Sequence, residues 1–207
     1  MHYADQWLKR DRRFCEILPD PAARLYILSE TLKFYGVARC WCKRHKDDDE
    51  TRFQPLLDIF DSVSTTAAKP LGRTQVVKMV ITQLQPHTKN EVLSLATKTL
   101  WVWFKEPFII YDGNAAKALG FPYPLSHRDS AAYYARWEAA FARAMPDILN
   151  ACSRLPAQHS WLKHGAKITE LELRHLADES FFHKRVFDVF LWSCAERNLP
   201  NTYLSAV

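Results

Sequence analysis

The chain has 207 residues, of which 48% are hydrophobic and 13% aromatic, enough material for one sizeable core or for two lobes that share one. Only five glycines are present, which disfavours a turn-rich all-β fold and favours long helices. The formal net charge of +5 is a modest basic bias that is compatible with nucleic acid as a partner without being specific for it.

The sequence predicts a soluble protein that is cytoplasmic or nucleoid-associated. Residues 1–13 are polar and charged and lack the apolar core of a secretory signal. The stretch poorest in charge, residues 92–104, contains a lysine and is too short to span a bilayer, so no membrane partner is expected.

The five cysteines follow no disulfide spacing, and their number is odd. Cys40 and Cys42, with His45 close by, could suggest a metal site. Residues two apart lie on different sides of a helix, however, and no second Cys/His pair has the spacing of zinc ligands. We therefore expect free thiols packed as small apolar groups, with no metal and no cofactor.

Helical periodicity and boundary residues predict an all-α fold with one extended segment. Pro19 and Pro21 separate the first two helices. Thr88 with Glu91 three residues later has the pattern of a capping box, and Asp112 can cap a short helix that Gly120 ends. In chain order the predicted helices cover residues 5–17, 21–44, 53–60, 73–84, 88–104, 113–119, 129–145, 146–153 and 180–197, with loops at 62–70 and 121–128 and an extended run at 108–111.

These elements predict a single helical domain over residues 1–207. Within it, residues 1–70 together with the C-terminal helix could form one lobe and residues 71–155 a second, with a cleft between them.

Lys98 is the only charged residue among the thirteen residues 92–104. Apolar residues surround this helix on nearly every side, which is typical of a helix buried in the middle of a fold. An ammonium there must reach the surface or find a partner in a cleft. Burial disfavours the charged form of an amine, and a neutral amine is what a nucleophilic lysine needs. The structural alternative is a lysine that reaches solvent between Thr97 and Thr99.

Asp112 follows the helix of Lys98 after a short apolar run, residues 107–111. The chain folds back at this point and could return a carboxylate towards the lysine's helix. Backbone N–H groups at a helix start favour an ionised carboxylate. The alternative role for Asp112 is that of an ordinary N-cap.

The string over residues 96–104, followed by 108–112 and 115–119, resembles the helix-hairpin-helix DNA glycosylase superfamily, and especially its 8-oxoguanine DNA glycosylase-like members. In that family a lysine near the start of a buried helix is followed by an apolar stretch, a short extended entry and an aspartate that opens the next helix. Elsewhere the likeness is one of helical pattern alone. The resemblance implies a compact, multi-helix glycosylase-like fold.

The resemblance also implies a chemistry. Lys98 would match the nucleophilic lysine that attacks C1′ of a damaged nucleoside, expels the base and forms a Schiff base that can proceed to strand cleavage. Asp112 would match the aspartate that stabilises the developing oxocarbenium charge. Such enzymes extrude the target nucleotide from the stack, and aromatic side chains sandwich its base. The aromatic candidates here are Trp101, Trp103, Tyr111, Phe187 and Trp192.

Asp188 lies among apolar neighbours in the last predicted helix, and a buried carboxylate needs a donor. In the resembling family the C-terminal helix contributes to the base pocket, which makes Asp188 a candidate for base recognition beside Phe187. A structural pairing with an arginine is the alternative.

The hairpin of the family usually carries a Gly-x-Gly turn whose amides hold a DNA phosphate. Residues 86–95 contain no glycine, so His87 or Lys89 would have to hold the DNA backbone. The interval between Lys98 and Asp112, with thirteen residues between them, is also short for the family.

We therefore expect a monomeric DNA glycosylase, with or without AP-lyase activity, that excises an oxidised or modified base from DNA. The rival hypothesis is a non-catalytic helical module that binds nucleic acid or a protein partner in a bacterial defence or repair system. Catalysis on RNA or a free nucleoside would share the chemistry and change the substrate.

Overall fold

A computed structural model of the protein describes residues 2–42, 51–66, 72–89, 92–121 and 130–197. These ranges are mostly helical and contain no β-strand, although one isolated bridge joins Trp41 to Thr88. The all-α prediction is thereby confirmed. The α-helices are α1 (His2–Gln6), α2 (Arg12–Ile17), α3 (Arg24–Phe34), α4 (Gln54–Thr66), α5 (Arg73–Leu84), α6 (Leu93–Phe104), α7 (Gly113–Ala118), α8 (Ser130–Ser153), α9 (Glu170–Asp178) and α10 (Ser180–Glu196). A π-helical turn, Trp7–Asp11, joins α1 to α2.

The described residues fall into two units. The first unit takes residues 2–13, 112–121 and 131–197, and the second takes the described part of 14–111 together with Ser130. The chain therefore passes from the second unit to the first between Tyr111 and Asp112. This division differs from the predicted lobes. The prediction placed residues 1–70 together with the C-terminal helix, whereas in the structure α10 shares a unit with residues 2–13 and the described part of 14–70 belongs to the other unit.

The second unit has its core on α3, α4, α5 and α6. Apolar residues at helical spacing on these helices are almost completely buried, and each such side chain stabilises the fold by about 1.5–3 kcal/mol relative to an exposed position. They include Ile27, Leu28, Leu32, Leu56, Phe60, Val77, Val80, Leu84, Leu95 and Leu100.

The first unit is built around α8 and α10, and α7 packs against α10. Trp137 of α8 lies with its ring centre 4.9 Å from that of Phe141 and 5.1 Å from that of Phe187. Both Trp137 and Phe187 have no exposed surface. Aromatic packing of this kind contributes about 0.5–1.5 kcal/mol per pair beyond the area that it buries.

Three helices, α5, α7 and α10, end at or within one residue of the predicted limits. Helix α5 has the predicted bounds at both ends. Helix α7 begins after Asp112 and ends within one residue of the prediction, before Gly120, which has the left-handed φ of 77°. Helix α10 also ends within one residue of its predicted limit.

Helix α3 ends ten residues before the predicted limit at residue 44. Gly36 takes a φ of 68°, its N–H donates to the Lys33 carbonyl, and the N–H of Val37 donates to the Leu32 carbonyl. These two bonds form a Schellman motif, in which a left-handed residue ends the helix and satisfies its last carbonyls. The apolar spacing that continues as far as Cys42 was therefore misleading, and residues 43 and 44 lie outside the described ranges.

The predicted N-cap at Thr88 is wrong. Helix α6 begins at Leu93 with Val92 as its N-cap residue. The Thr88 hydroxyl instead donates to the Leu84 carbonyl at 3.0 Å, and the backbone of Thr88 forms the bridge with Trp41. A contact with a distant residue has thus overridden a local capping pattern. Glu91, the other residue of that pattern, lies outside the described ranges.

Two further boundaries differ from the prediction. Helix α4 continues to Thr66, so residues 62–66 of the predicted loop are helical. Helix α8 continues through Pro146, where two separate helices were predicted. Pro146 and Ala142, whose carbonyl loses its helical donor, are both exposed, so water can take the place of the missing N–H. Residues 122–129, which include most of the predicted proline-rich loop, lie outside the described ranges.

Helix α9 was not predicted. The Thr169 hydroxyl accepts from the N–H of Glu172 at 3.2 Å, and the Glu172 carboxylate accepts from the N–H of Thr169 at 2.7 Å. This reciprocal pair is a capping box, and it precedes a short apolar face at Leu173, Leu176 and Ala177. The pattern Thr-x-x-Glu was therefore the available signal.

No helix within the described ranges is both long and apolar enough to cross a lipid bilayer.

The Thr169→Ala variant should have a free energy of unfolding about 1 kcal/mol lower at neutral pH, because it loses the hydroxyl that caps α9. The effect should shrink at low pH. Hydrogen bonds from the backbone and side chain of Thr169 lower the pKa of Glu172 from its usual value of 4.5. A carboxylate whose pKa is lower in the folded state adds stability above its unfolded pKa and loses it as the pH falls through the folded value. Urea denaturation at neutral pH and at steps below pH 4.5 would measure the difference.

Thr82→Ala is the matched control, because Thr82 lies exposed in the interior of α5 and its hydroxyl bonds back to the Lys78 carbonyl. Alanine is the better helix former there, so no loss is expected. Equal effects of the two substitutions would contradict the capping role of Thr169.

Candidate functional site

Lys98 lies in a helix that is buried along nearly its whole length. Leu95, Ala96, Leu100 and Trp101 have at most 1% of their surface exposed, and Lys98 itself has 8%. The helix is buried, as predicted, and most of the surface of Lys98 is buried with it.

The ammonium of Lys98 has a carbonyl partner at the end of α3. Its Nζ lies 3.4 Å from the Tyr35 carbonyl oxygen and 5.9 Å from the centre of the Tyr35 ring. Tyr35 is the C-cap residue of α3, where the helix dipole favours a positive charge. Lys98 therefore helps to satisfy the C-terminus of another helix, a role that the sequence did not predict.

The extended segment that leads to Asp112 is attached to the turn of α6 that carries Lys98. The N–H of Tyr111 donates to the Thr97 hydroxyl at 2.9 Å, and that hydroxyl donates in turn to the Leu93 carbonyl at 2.9 Å. Phe108, Ile109, Ile110 and Tyr111 are all buried. The hydrogen bond fixes Tyr111, the residue before Asp112, beside the neighbour of Lys98.

Asp112 is an N-cap residue, as predicted. Its backbone is extended, with φ −135° and ψ 142°, and its Oδ1 accepts from the N–H of Asn114 at 3.0 Å. Asp112 begins the first unit, whereas Lys98 belongs to the second. The pairing of the two side chains stays a prediction from the sequence.

Most of the aromatic candidates are parts of the two cores. Trp101 and Phe187 have 1% and 0% of their surface exposed, and Tyr111 has 4%. The Trp103 ring stacks on Phe60 with a centre-to-centre distance of 5.0 Å. Among these candidates Trp192 presents the most surface to solvent, 37%.

Asp188 belongs to a buried polar cluster in the first unit. Its Oδ1 accepts from the indole N–H of Trp137 at 2.7 Å, and its Oδ2 lies 3.7 Å from Nη1 of Arg185. The Arg185 guanidinium in turn lies 5.6 Å from the centre of the Tyr3 ring. The structural alternative, pairing with an arginine, therefore describes Asp188. The sequence could have indicated the arginine, because it lies three residues earlier on the same helix. It gave no signal for the Trp137 donor, which lies on a different helix.

The two residues predicted to hold the DNA backbone have different environments. The His87 ring is half-buried and stacks on Trp41, with ring centres 5.7 Å apart and an angle of 9° between the planes. Lys89 is exposed, and its backbone N–H donates to the Cys40 carbonyl. Lys89 is therefore the one of the two whose side chain is directed to solvent.

The cysteines are free thiols. Burial raises the pKa of Cys152 to about 11 and also raises the pKa of Cys194. A thiol is nucleophilic as the thiolate, so these two are inert at neutral pH. In the part of the chain that the structure describes, no three His, Cys, Asp or Glu side chains form a group that could hold a metal ion. His45, named above with Cys40 and Cys42, lies outside that part.

Replacing Asp188 with asparagine should lower the free energy of unfolding by roughly 3 kcal/mol, because the buried Arg185 loses an anionic partner. Urea denaturation followed by tryptophan fluorescence would measure it. Asp58→Asn is the control, since Asp58 accepts a hydrogen bond from Gln54 on the exposed face of α4 and its change should stay within about 0.5 kcal/mol. A small effect at Asp188, comparable with that at Asp58, would rule out a charge-dependent role of the cluster in stability.

Comparison of the chain with models of known protein families, with curated proteins and with solved structures finds no match. A functional assignment therefore depends on the chemistry of its own residues.

Proposed function

We propose that the protein is a DNA glycosylase that excises an oxidised or modified base, with Lys98 as its nucleophile. The observation that carries the proposal is the burial of Lys98 in α6 together with the Thr97–Tyr111 hydrogen bond beside it. A lysine amine is a nucleophile that forms Schiff bases with carbonyl carbons, and the contact with the Tyr35 carbonyl holds this one in place.

In the proposed reaction the Lys98 amine attacks C1′ of an extruded nucleotide. The C1′–N bond breaks and the base leaves with a proton, while the new C–N bond becomes a Schiff base after the sugar ring opens. Water can then release the sugar, or a base can remove a proton from C2′ and expel the 3′ phosphate as the C3′–O bond breaks. Asp112, by its resemblance to the family's aspartate, would stabilise the positive charge that develops on the sugar.

A specific contact favours the rival hypothesis, a non-catalytic module that binds nucleic acid or a protein. Lys98 Nζ lies within hydrogen-bond distance of the C-cap carbonyl of α3, which is the position of a structural lysine. In a module of this kind Lys98 would fix α3 against α6 and would not take part in chemistry. The two functions therefore differ in what the amine does with an aldehyde or a damaged sugar.

The protein should form a covalent adduct with damaged DNA in the presence of borohydride, and Lys98→Gln should abolish it. Borohydride reduces the Schiff base to a stable amine, so the adduct is visible on a denaturing gel. The substrates are oligonucleotides with oxidised or alkylated bases and one with an abasic site. Lys98→Gln keeps a donor for the Tyr35 carbonyl, and circular dichroism would check that it folds.

Lys78→Gln is the matched control, since Lys78 lies exposed on α5 in the same unit and should leave trapping unchanged. Adduct formation that survives Lys98→Gln would assign the nucleophile elsewhere. Absence of an adduct and of base release from every substrate would favour the binding module.

Two substitutions of Asp112 separate its capping role from a chemical one. Asparagine caps helices as well as aspartate does, whereas alanine costs about 1 kcal/mol of stability. If the carboxylate stabilises a positive charge, both Asp112→Asn and Asp112→Ala should slow base release at least about tenfold, and only Asp112→Ala should unfold more easily. Full activity in Asp112→Asn would show that the residue is a cap alone.

A further inference from the structure

Trp161 is the most exposed large apolar side chain in the described part of the chain, with 74% of its surface open to solvent. It ends a short 3₁₀ helix, Pro156–Trp161, in the first unit. Its neighbours Leu162 and Ile168 are buried, so they anchor the segment while the indole projects from it. An indole on the surface of a fold can stack against a flat ligand.

The segment that carries Trp161 is held by its own hydrogen bonds. Nε2 of His159 lies 3.0 Å from the Gly165 carbonyl and 2.7 Å from the Ile168 carbonyl. Because both partners are acceptors, Nε2 carries the proton. A Cβ at Gly165 would lie 2.7 Å from the His159 carbonyl oxygen, so only glycine permits this closure.

Residues of helices α1 and α2 also bind the segment that carries Trp161. The N–H of His164 donates to the Asp5 carboxylate at 3.2 Å, and Arg12 donates to the Lys167 carbonyl at 3.2 Å. Residues 159–168 are thus a closed loop with fixed ends. A binding surface that is ordered before its ligand arrives loses little conformational entropy on binding.

The charged side chains within the loop all have one sign. Residues 159–168 contain Lys163 and Lys167 and no aspartate or glutamate, and both lysines are exposed. Of the acids that border the loop, Asp5 accepts from the N–H of His164, Glu170 pairs with Arg174 at 3.4 Å and Glu172 caps α9. The loop therefore combines an exposed indole with two lysines.

We propose that Trp161 is a base-stacking platform for single-stranded nucleic acid, with Lys163 and Lys167 of the same loop contacting the phosphate backbone. Single strands expose bases that stack on aromatic rings regardless of sequence, and their phosphates need cations. A membrane surface fits less well, because an interfacial segment presents a continuous apolar face, and of the large apolar residues in 159–168 only Trp161 is exposed while Leu162 and Ile168 are turned into the core. The site involves none of the residues assigned to the glycosylase chemistry, and its ligand needs no damaged base.

The test is fluorescence anisotropy of a labelled, undamaged thymidine oligonucleotide titrated with the full chain. Trp161→Ala should weaken binding at least about tenfold, and Trp161→Phe should keep part of the affinity because a smaller ring still stacks. The Lys163→Gln, Lys167→Gln double variant should reduce the dependence of log K on log salt by about 0.7 for each phosphate that the protein no longer neutralises. Tyr26→Ala, at an aromatic residue that is 46% exposed on α3, is the control and should bind as the native chain does.

Several results would overturn the proposal. One is an affinity for the oligonucleotide that Trp161→Ala leaves unchanged, and another is no binding at all at low salt. Binding of the native chain to vesicles with anionic headgroups, lost in Trp161→Ala while oligonucleotide binding persists, would assign the indole to a membrane. A change of sedimentation in Trp161→Ala without loss of oligonucleotide binding would assign it to self-association. A failure here leaves borohydride trapping by Lys98 untouched, so the two proposals can fail separately.

Discussion

The burial of α6 imposes a requirement on each polar group that the helix carries. A hydroxyl or amine that is removed from water must find a hydrogen-bond partner, at a cost of about 1–3 kcal/mol where it does not. Thr99 meets this requirement within its own helix by donating to the Leu95 carbonyl. Thr97 does so twice, since its hydroxyl donates to Leu93 and accepts from the N–H of Tyr111. The second bond fixes the extended segment 108–111 on the helix, and this segment leads the chain to Asp112.

The partner of Lys98 depends on where α3 ends. Gly36 adopts the left-handed conformation that closes the Schellman motif, and the motif makes Tyr35 the C-cap residue whose carbonyl lies near Nζ of Lys98. A protonated or a neutral amine can donate one N–H to this carbonyl. The contact therefore positions the amine in both of the functions considered for it, and only a chemical trap distinguishes a positioned nucleophile from a structural donor.

The sequence predicted what local signals determine, and it failed where distant contacts decide. The periodicity of α5 and the cap at Asp112 were sufficient for their helices. The composition of residues 92–104 indicated a buried helix, but it left open whether the Lys98 side chain would be buried with it. Thr88 has a capping pattern that a bridge to Trp41 overrides. Two partners of buried charged groups lie far along the chain, with Tyr35 63 residues from Lys98 and Trp137 51 residues from Asp188. No periodicity or spacing contains that information.

The two units differ in where a functional group could act. In the first unit the buried Asp188 has an arginine and an indole as partners, so its charge is balanced inside the fold. Removing such a partner costs stability, and the cluster has no charge left to recognise a ligand. The large apolar side chain that this unit exposes most, among its described residues, is the Trp161 indole in a loop with two lysines. The second unit has the opposite arrangement, because its candidate nucleophile, Lys98, is buried on α6. Binding of a strand at the exposed loop and attack by the buried lysine would then be separate properties, because Trp161 and Lys98 belong to different units and each can be lost without the other.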